Sequence, residues 1–322
     1  MKRNTIWFAA LAALGLCAAV PVQADFQSWL VDLRDEAAGK GISKETLDAA
    51  LTGIKPIPRV VELDRKQPEF TLTFDQYMNR VVPRSRVEKG RKKLAENKAL
   101  LTEVSRKFGV PPQFIVAFWG VETDFGRVTG GFKVIDSLAT LAFDGRRSAF
   151  FRKELLLALQ IIEGGHIAAN AMMGSWAGAM GQAQFMPSSF VGYAVDYDKD
   201  GRKDIWKTRA DVFGSAANYL SRYGWRADER WGRRVKVPEG FDPKRADLKV
   251  RKSVSGWAME GVTQADGTPL PDSDLDASII LPAKAAGPAY IVYNNYRVIL
   301  RWNRSHYFAI AIGRLADQIA GQ

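Results

Sequence analysis

The reading of this chain turns on Phe114–Gly126, "FIVAFWGVETDFG", a nearly unbroken apolar run that ends at a glutamate and then breaks. Glu122 is the only charged side chain between Lys107 and Asp124. "PP" at 111–112 suits the start of a helix, where proline is tolerated in the first positions. The segment therefore predicts a helix that delivers Glu122 near its C-terminal end. A buried, unpaired carboxylate is expensive, so it stays neutral or has a task. Desolvation disfavours the ionised form, and such a group can remain protonated near neutral pH and act as a general acid. Protonation of a leaving glycosidic oxygen needs an acid of this kind. Taken alone, Glu122 is better explained by a salt bridge to Arg127 or by helix capping, and the functional reading needs the rest of the chain.

Outward from this segment the pattern is helical. Asp25 to Ile54 reads as helix with a short break at "GKGIS", and "KPIP" then interrupts. Val87, Leu94, Leu101 and Phe108 recur at heptad spacing with Val104 between them, which predicts one long helix closed by Gly109. "RRSAFFRKELLLALQIIEGG" and "DVFGSAANYLSRYGW" predict two more helices. From about Arg230 to Pro282 helical periodicity fades, and Pro, Gly and Asp punctuate short segments such as "RRVKVP" and "LKVRKSV". "AYIVYNNYRVILRWN" leads into a final helix, "HYFAIAIGRLADQIA". The expected fold class is mainly α (α+β), with a helical core at about 95–228 plus 292–322 and a small β-containing insertion at about 230–290.

Of the 322 residues, 47% are hydrophobic and 25% charged, which excludes a disordered, collagenous or disulfide-rich chain. Met1–Ala24 has a basic start, an apolar run and a small-x-small ending at "VQA", the form of a removable export signal. Lipid anchoring at Cys17, the only cysteine, is disfavoured because the preceding residue is Leu16. Cleavage after Ala24 would leave a cysteine-free chain, which rules out thiol catalysis and needs no disulfides. No later segment has the roughly 20 apolar residues that span a bilayer. The expected location is therefore periplasmic. The net charge of +11 suits an acidic polymer or surface, and export argues against nucleic acid as the partner.

"MMGSWAGAMGQAQFMPSSF", Met172 to Phe190, mixes glycines with Ser, Gln, Met and one Trp. Neutral hydrogen-bonding groups beside an apolar face suit a sugar, and glycines let backbone approach it closely. A glycine-rich packing turn is the plainer alternative.

"GVETDFG", "GSWAGAMGQAQFMPSS", "VDYDKDGRKDIW", "GSAANYL" and "RWNRSHY", in this order, resemble the membrane-bound lytic transglycosylase B family of peptidoglycan-cleaving enzymes. The likeness covers essentially the whole chain after the export signal, and its second block is long and specific. It implies a lysozyme-like core that cuts between N-acetylmuramic acid and N-acetylglucosamine in peptidoglycan glycan strands, with Glu122 as the catalytic acid and base. It further implies that Ser175 helps place the substrate and that Gln184, Tyr219, Asn303 and Tyr77 line the cleft. Trp302 stands where many members have tyrosine, and it offers a stacking face without a hydroxyl.

Ordinary glycosidases pair two carboxyl groups across the bond. Asp124 is too close along the chain to face Glu122, and nothing singles out Asp136 or Asp144. The resemblance implies a route that needs one carboxyl: the muramic acid C6 hydroxyl attacks its own anomeric carbon and gives a 1,6-anhydro product.

"DYDKDGRKDIW" places Asp196, Asp198 and Asp200 at positions 1, 3 and 5 of an EF-hand-like loop, with Gly201 at the turn. The Arg202 carbonyl falls at position 7 and Asp204 at position 9. The resemblance supplies Asp211 as a later carboxylate. The expected occupant is a structural Ca2+, and an Asp-rich turn held by local hydrogen bonds is the alternative. His166 and His306 are too few and scattered for zinc. The resulting expectation is an exported, monomeric lytic transglycosylase that requires no organic cofactor. A muramidase using water and a silent peptidoglycan-binding protein are the rivals.

Overall fold

A computed structural model describes residues 22–66, 72–283 and 287–321. Most of the expected export signal, including Cys17, lies outside the described residues, while the first helix starts at Val22. No helix among the described residues is long and apolar enough to cross a membrane.

The N-terminal part is a run of short helices, α1 Val22–Gly39, α2 Lys44–Leu51, α3 Pro58–Lys66 and α4 Phe74–Val81. Ser43 caps α2 by accepting from the Thr46 backbone N–H. Thr73 and Gln76 form a reciprocal capping box on α4. The heptad stripe does not lie on one long helix: it is divided between α5 Arg84–Glu96 and α6 Lys98–Phe108. Asn97 breaks it. Its Nδ2 donates to the Lys93 carbonyl and its Oδ1 accepts from Arg209, so the side chain competes with the helical ladder. Periodicity registers which face is apolar and passes over such a break. The break lets α5 pack on α7 and α14 while α6 packs on α7 and α11.

Helix α7, Pro112–Thr123, is the central element, with every residue from Phe114 to Gly120 buried. A helix apolar all round belongs inside, and α5, α6, α11 and α14 surround it. Strand β1 Phe132–Lys133 leads into α8 Val134–Phe143, which packs on α9 Ser148–Glu163. Strand β2 Met173–Gly174 pairs antiparallel with β1 and opens the glycine-rich loop. Helices α10 Pro187–Tyr193 and α11 Arg209–Arg222 follow.

The β segments are β3 Gly232–Lys236, β4 Lys252–Ser253, β5 Thr263–Gln264, β6 Asp276–Ile280 and β7 Ala289–Val292, with the short helix α12 Val254–Met259 between β4 and β5. They form an antiparallel sheet in the order β4-β6-β7-β3-β5. A second apolar cluster around Trp257, Ile279, Ile291 and Tyr293 fills one side of it. Tyr290, Val292 and Ile280 instead join the main helical core, so strands β6 and β7 serve both clusters. Helices α13 Asn294–Trp302 and α14 His306–Ala320 return the chain to α7.

Candidate active site

The turn "ETDFG" that ends α7 is built by Thr123. Its hydroxyl lies within bonding distance of the Trp119 and Gln182 carbonyls, and it accepts from the Gly126 backbone N–H at 3.0 Å. Asp124, Phe125 and Gly126 all take positive φ, 50°, 61° and 81°. For the two non-glycine residues this is uncommon backbone, of the kind that persists where surrounding structure enforces it. At Gly126 a Cβ would lie 2.2 Å from Gln182 Oε1, so only glycine fits. Phe125 folds back against Trp119 with ring centres 5.6 Å apart.

This geometry leaves Glu122 alone. Arg127 pairs with Asp124, as does Lys89 at 3.1 Å, so the salt bridge that would have explained Glu122 structurally goes to its neighbour. Burial would raise the Asp124 pKa, but the bonds from Arg127 and Lys89 outweigh it and hold that carboxylate below its usual range. Asp144 is paired with Arg65.

Although Glu122 as a whole is half-buried, its carboxyl is enclosed. Desolvation pushes its pKa up to about 8, opposed only by a hydrogen bond from Trp302. No cation contributes. A small apolar cavity lined by Phe118, Trp119, Val212, Phe213 and Ala216 lies against it. Burial therefore favours the protonated form of this carboxyl at neutral pH.

Trp302 Nε1 donates to Glu122 Oε1 at 2.8 Å. The indole is wedged between Phe118, Phe185 and Tyr219, with ring centres at 4.5, 5.2 and 4.8 Å. Tyr219 is buried, and its hydroxyl donates to the Arg301 carbonyl at 2.7 Å. Its ring packs against Trp302, and its hydroxyl fixes the backbone next to it. Asn303 follows Trp302 directly, exposed, with Oδ1 accepting from Ser305 N.

Ser175 Oγ accepts from the Ala179 N–H at 3.0 Å, a bond that leaves its own proton available. Gln184 sits at φ 48° and donates through Nε2 to the Thr129 and Gly181 carbonyls, leaving Oε1 as its free acceptor. Tyr77 on α4 packs against Tyr307 in a tilted ring contact, with ring centres 5.6 Å apart. Among the described residues, no hydrogen bond joins Ser175, Gln184, Asn303 or Tyr77 to Glu122. Of the expected set, Trp302 alone is hydrogen-bonded to it among the described residues.

Sequence reasoning passed over Gln182 as a frame residue. Its Oε1 accepts from Trp119 Nε1 at 2.8 Å, and its Nε2 donates to the Trp206 carbonyl at 2.7 Å. Its backbone N–H donates to the Ile205 carbonyl. It thus ties α7 to the glycine-rich loop and to the end of the acidic loop. The signal was present, a glutamine amid small residues, but its partners lie far away in sequence.

In the acidic loop, carboxylate oxygens of Asp196, Asp198 and Asp211 lie within 4.8 Å of one another. Asp211 is fully buried, and its two oxygens accept from Tyr197 N and Asp204 N, both at 2.7 Å. Two expected carboxylates lie outside this group. Asp204 Oδ1 accepts from Trp206 N and Lys207 N, capping the next turn. Asp200 accepts from Arg202 N and faces its guanidinium. Arg202 was expected to offer only its carbonyl. Three converging carboxylates form an all-oxygen, hard donor set of the type that suits calcium. A groove of about 400 Å³ on the sheet, beside Arg234, Lys236 and Phe241, contains none of these residues.

The family model described as Transglycosylase SLT domain matches residues 25–317. Membrane-bound lytic murein transglycosylase B of Escherichia coli is 30% identical over 295 residues, 87% of this chain and 79% of that protein. SltB3 of Pseudomonas aeruginosa, solved in complex with NAG-NAM-pentapeptide, is similar at 44% identity and a TM-score of 0.90, covering 92% of this chain and 80% of that one. The lytic transglycosylase Slt35 of Escherichia coli in complex with calcium matches at 29% identity and a TM-score of 0.77, covering 93% of each chain.

Proposed function

This chain belongs to the SLT-domain transglycosylases, and from that premise we propose that Glu122 performs both proton transfers of a lytic transglycosylase reaction. The enzyme cleaves the β-1,4 bond between N-acetylmuramic acid and N-acetylglucosamine in peptidoglycan without water. Glu122 gives its proton to the leaving O4 as the C1–O4 bond breaks. The C6 hydroxyl of the same muramic acid then closes on C1, and its proton passes to the Glu122 carboxylate. The products are a free 4-hydroxyl and a 1,6-anhydro sugar, and the enzyme is regenerated. The observation that carries this reading is an enclosed carboxyl that takes a hydrogen bond from Trp302 and has no ion pair among the described residues, while Asp124, two residues on, is tied up by Lys89 and Arg127.

Ser175, Gln184 and Asn303 are assigned to the substrate, through the Ser175 hydroxyl proton and the Gln184 Oε1 left over by their internal bonds. Tyr77 is assigned to the cleft wall. Asp196, Asp198 and Asp211 would hold calcium, which when bound supplies charge neutralisation between the loop and α11. An exported, periplasmic enzyme with a catalytic unit from 25 to 322 fits a substrate in the cell wall.

Mass spectrometry of fragments released from purified peptidoglycan tests the reading, with Glu122→Gln as control. The expected products are lighter by one water than hydrolysed saccharides and are absent in the control. Reducing-end products would give the mechanism to a muramidase. Binding without release would make the protein a silent wall binder.

A further inference from the structure

The two oxygens of Glu122 are not equivalent. Oε1 faces the indole N–H of Trp302 at 2.8 Å. An indole nitrogen can donate and never accept, whereas a protonated carboxyl has one O–H donor and a carbonyl oxygen that is its stronger acceptor. The N–H therefore favours Oε1 as the carbonyl oxygen, so that it accepts in both protonation states. We propose that Trp302 is a positioning residue that gives Oε1 a permanent acceptor role and thereby places the acidic proton of Glu122 on Oε2, facing the glycosidic oxygen. The inference rests on the reading of Glu122 as the acid.

Trp302 cannot easily turn away. Phe118, Phe185 and Tyr219 enclose its ring, and the Tyr219 hydroxyl holds the preceding carbonyl at 2.7 Å. No other hydrogen bond to Glu122 exists among the described residues, so none of them competes for Oε2. The same N–H strengthens as the reaction proceeds. A hydrogen bond to a carboxylate is stronger than one to a neutral carbonyl, so Trp302 stabilises Glu122 more after proton donation than before it. Only such differential stabilisation accelerates the chemical step. The residue occupies a place where a sugar platform would be expected, yet its polar atom is spent on the acid.

The test removes the N–H and little else. 3-Benzothienylalanine placed at Trp302 keeps the bicyclic shape and puts sulfur where the N–H was. Trp302→Phe is the genetically simpler companion. The expected result is a fall in kcat of about ten-fold or more, a KM within about two-fold of wild type, and a basic limb of the pH profile moved to higher pH. A wild-type kcat and pH profile with the isostere would overturn the proposal. A raised KM with kcat intact would also overturn it, because Trp302 would then be a sugar platform. Difference infrared spectroscopy supplies a readout independent of product chemistry. The carbonyl stretch of protonated Glu122, assigned by subtraction of Glu122→Gln, should rise when the donor is lost, and an unchanged stretch would refute the assignment of oxygens. Reducing-end products from the wild type would instead count against the transglycosylase reading and leave this measurement standing.

Discussion

A carboxyl that keeps its proton to about pH 8 leaves its mark on stability as well as on rate. Its folded pKa is raised above the ordinary 4.5, so between these values the folded state binds more protons than the unfolded one. Stability is fully present below about pH 4.5 and is lost as pH rises through about 8. Glu122→Gln retains an oxygen for Trp302 and removes the titration. It should abolish turnover, change the melting temperature little at pH 5, and stabilise the fold by on the order of 4 kcal/mol at pH 8. Thermal melts at the two pH values check this. Wild-type activity should decline above about pH 8 as the acid ionises. Thr123→Val is nearly isosteric but leaves the Gly126 N–H and the Gln182 carbonyl without their hydroxyl. A loss of about 1–3 kcal/mol by denaturant unfolding is expected, together with weaker catalysis because the turn no longer fixes Glu122.

Among elements, α7 carries Glu122 and α13 carries its hydrogen-bond partner Trp302, while α11 braces α13 through the Tyr219 hydroxyl and ring. Tyr219→Phe keeps the ring against Trp302 and loses the bond to the Arg301 carbonyl. The expected cost is about 1 kcal/mol, with a kcat reduced several-fold and a KM nearly unchanged. A large KM effect with kcat preserved would return Tyr219 to the cleft wall. The same scale shows why the heptad stripe misled. Val87 and Leu101 are buried as the spacing requires, but the chain is interrupted at Asn97, whose side chain bonds the Lys93 carbonyl and Arg209, which lies on α11 far along the chain.

For the molecule as a whole, the acidic loop is wired to the active site. Gln182 bonds Ile205 and Trp206 at the end of that loop, and Trp206 Nε1 donates to the Met173 carbonyl at 3.1 Å. Gln182 in turn bonds Trp119 on α7. Calcium that ties Asp196 and Asp198 to Asp211 would stiffen this path. Saturating calcium should raise the melting temperature by about 3–8 °C over a chelated sample, and activity should fall on chelation although no step uses the metal. Asp198→Ala should abolish the response, and identical melting curves with calcium and chelator would remove the metal from the account.

The sequence by itself determined the apolar helix ending in Glu122, the mainly helical class with a small sheet between Gly232 and Val292, and the family, because these rest on local periodicity, turn residues and long contiguous motifs. Tertiary structure alone decided the rest. Asp124 rather than Glu122 takes Arg127, since the left-handed turn aims the two carboxyls differently. Asp204 leaves the acidic group to cap a turn, while Asp211 enters it from α11. Trp302 meets Glu122 across a sequence distance that no pattern spans. Proton affinity and hydrogen-bond partnership are set by what is enclosed beside a group in space, and chain spacing records neither.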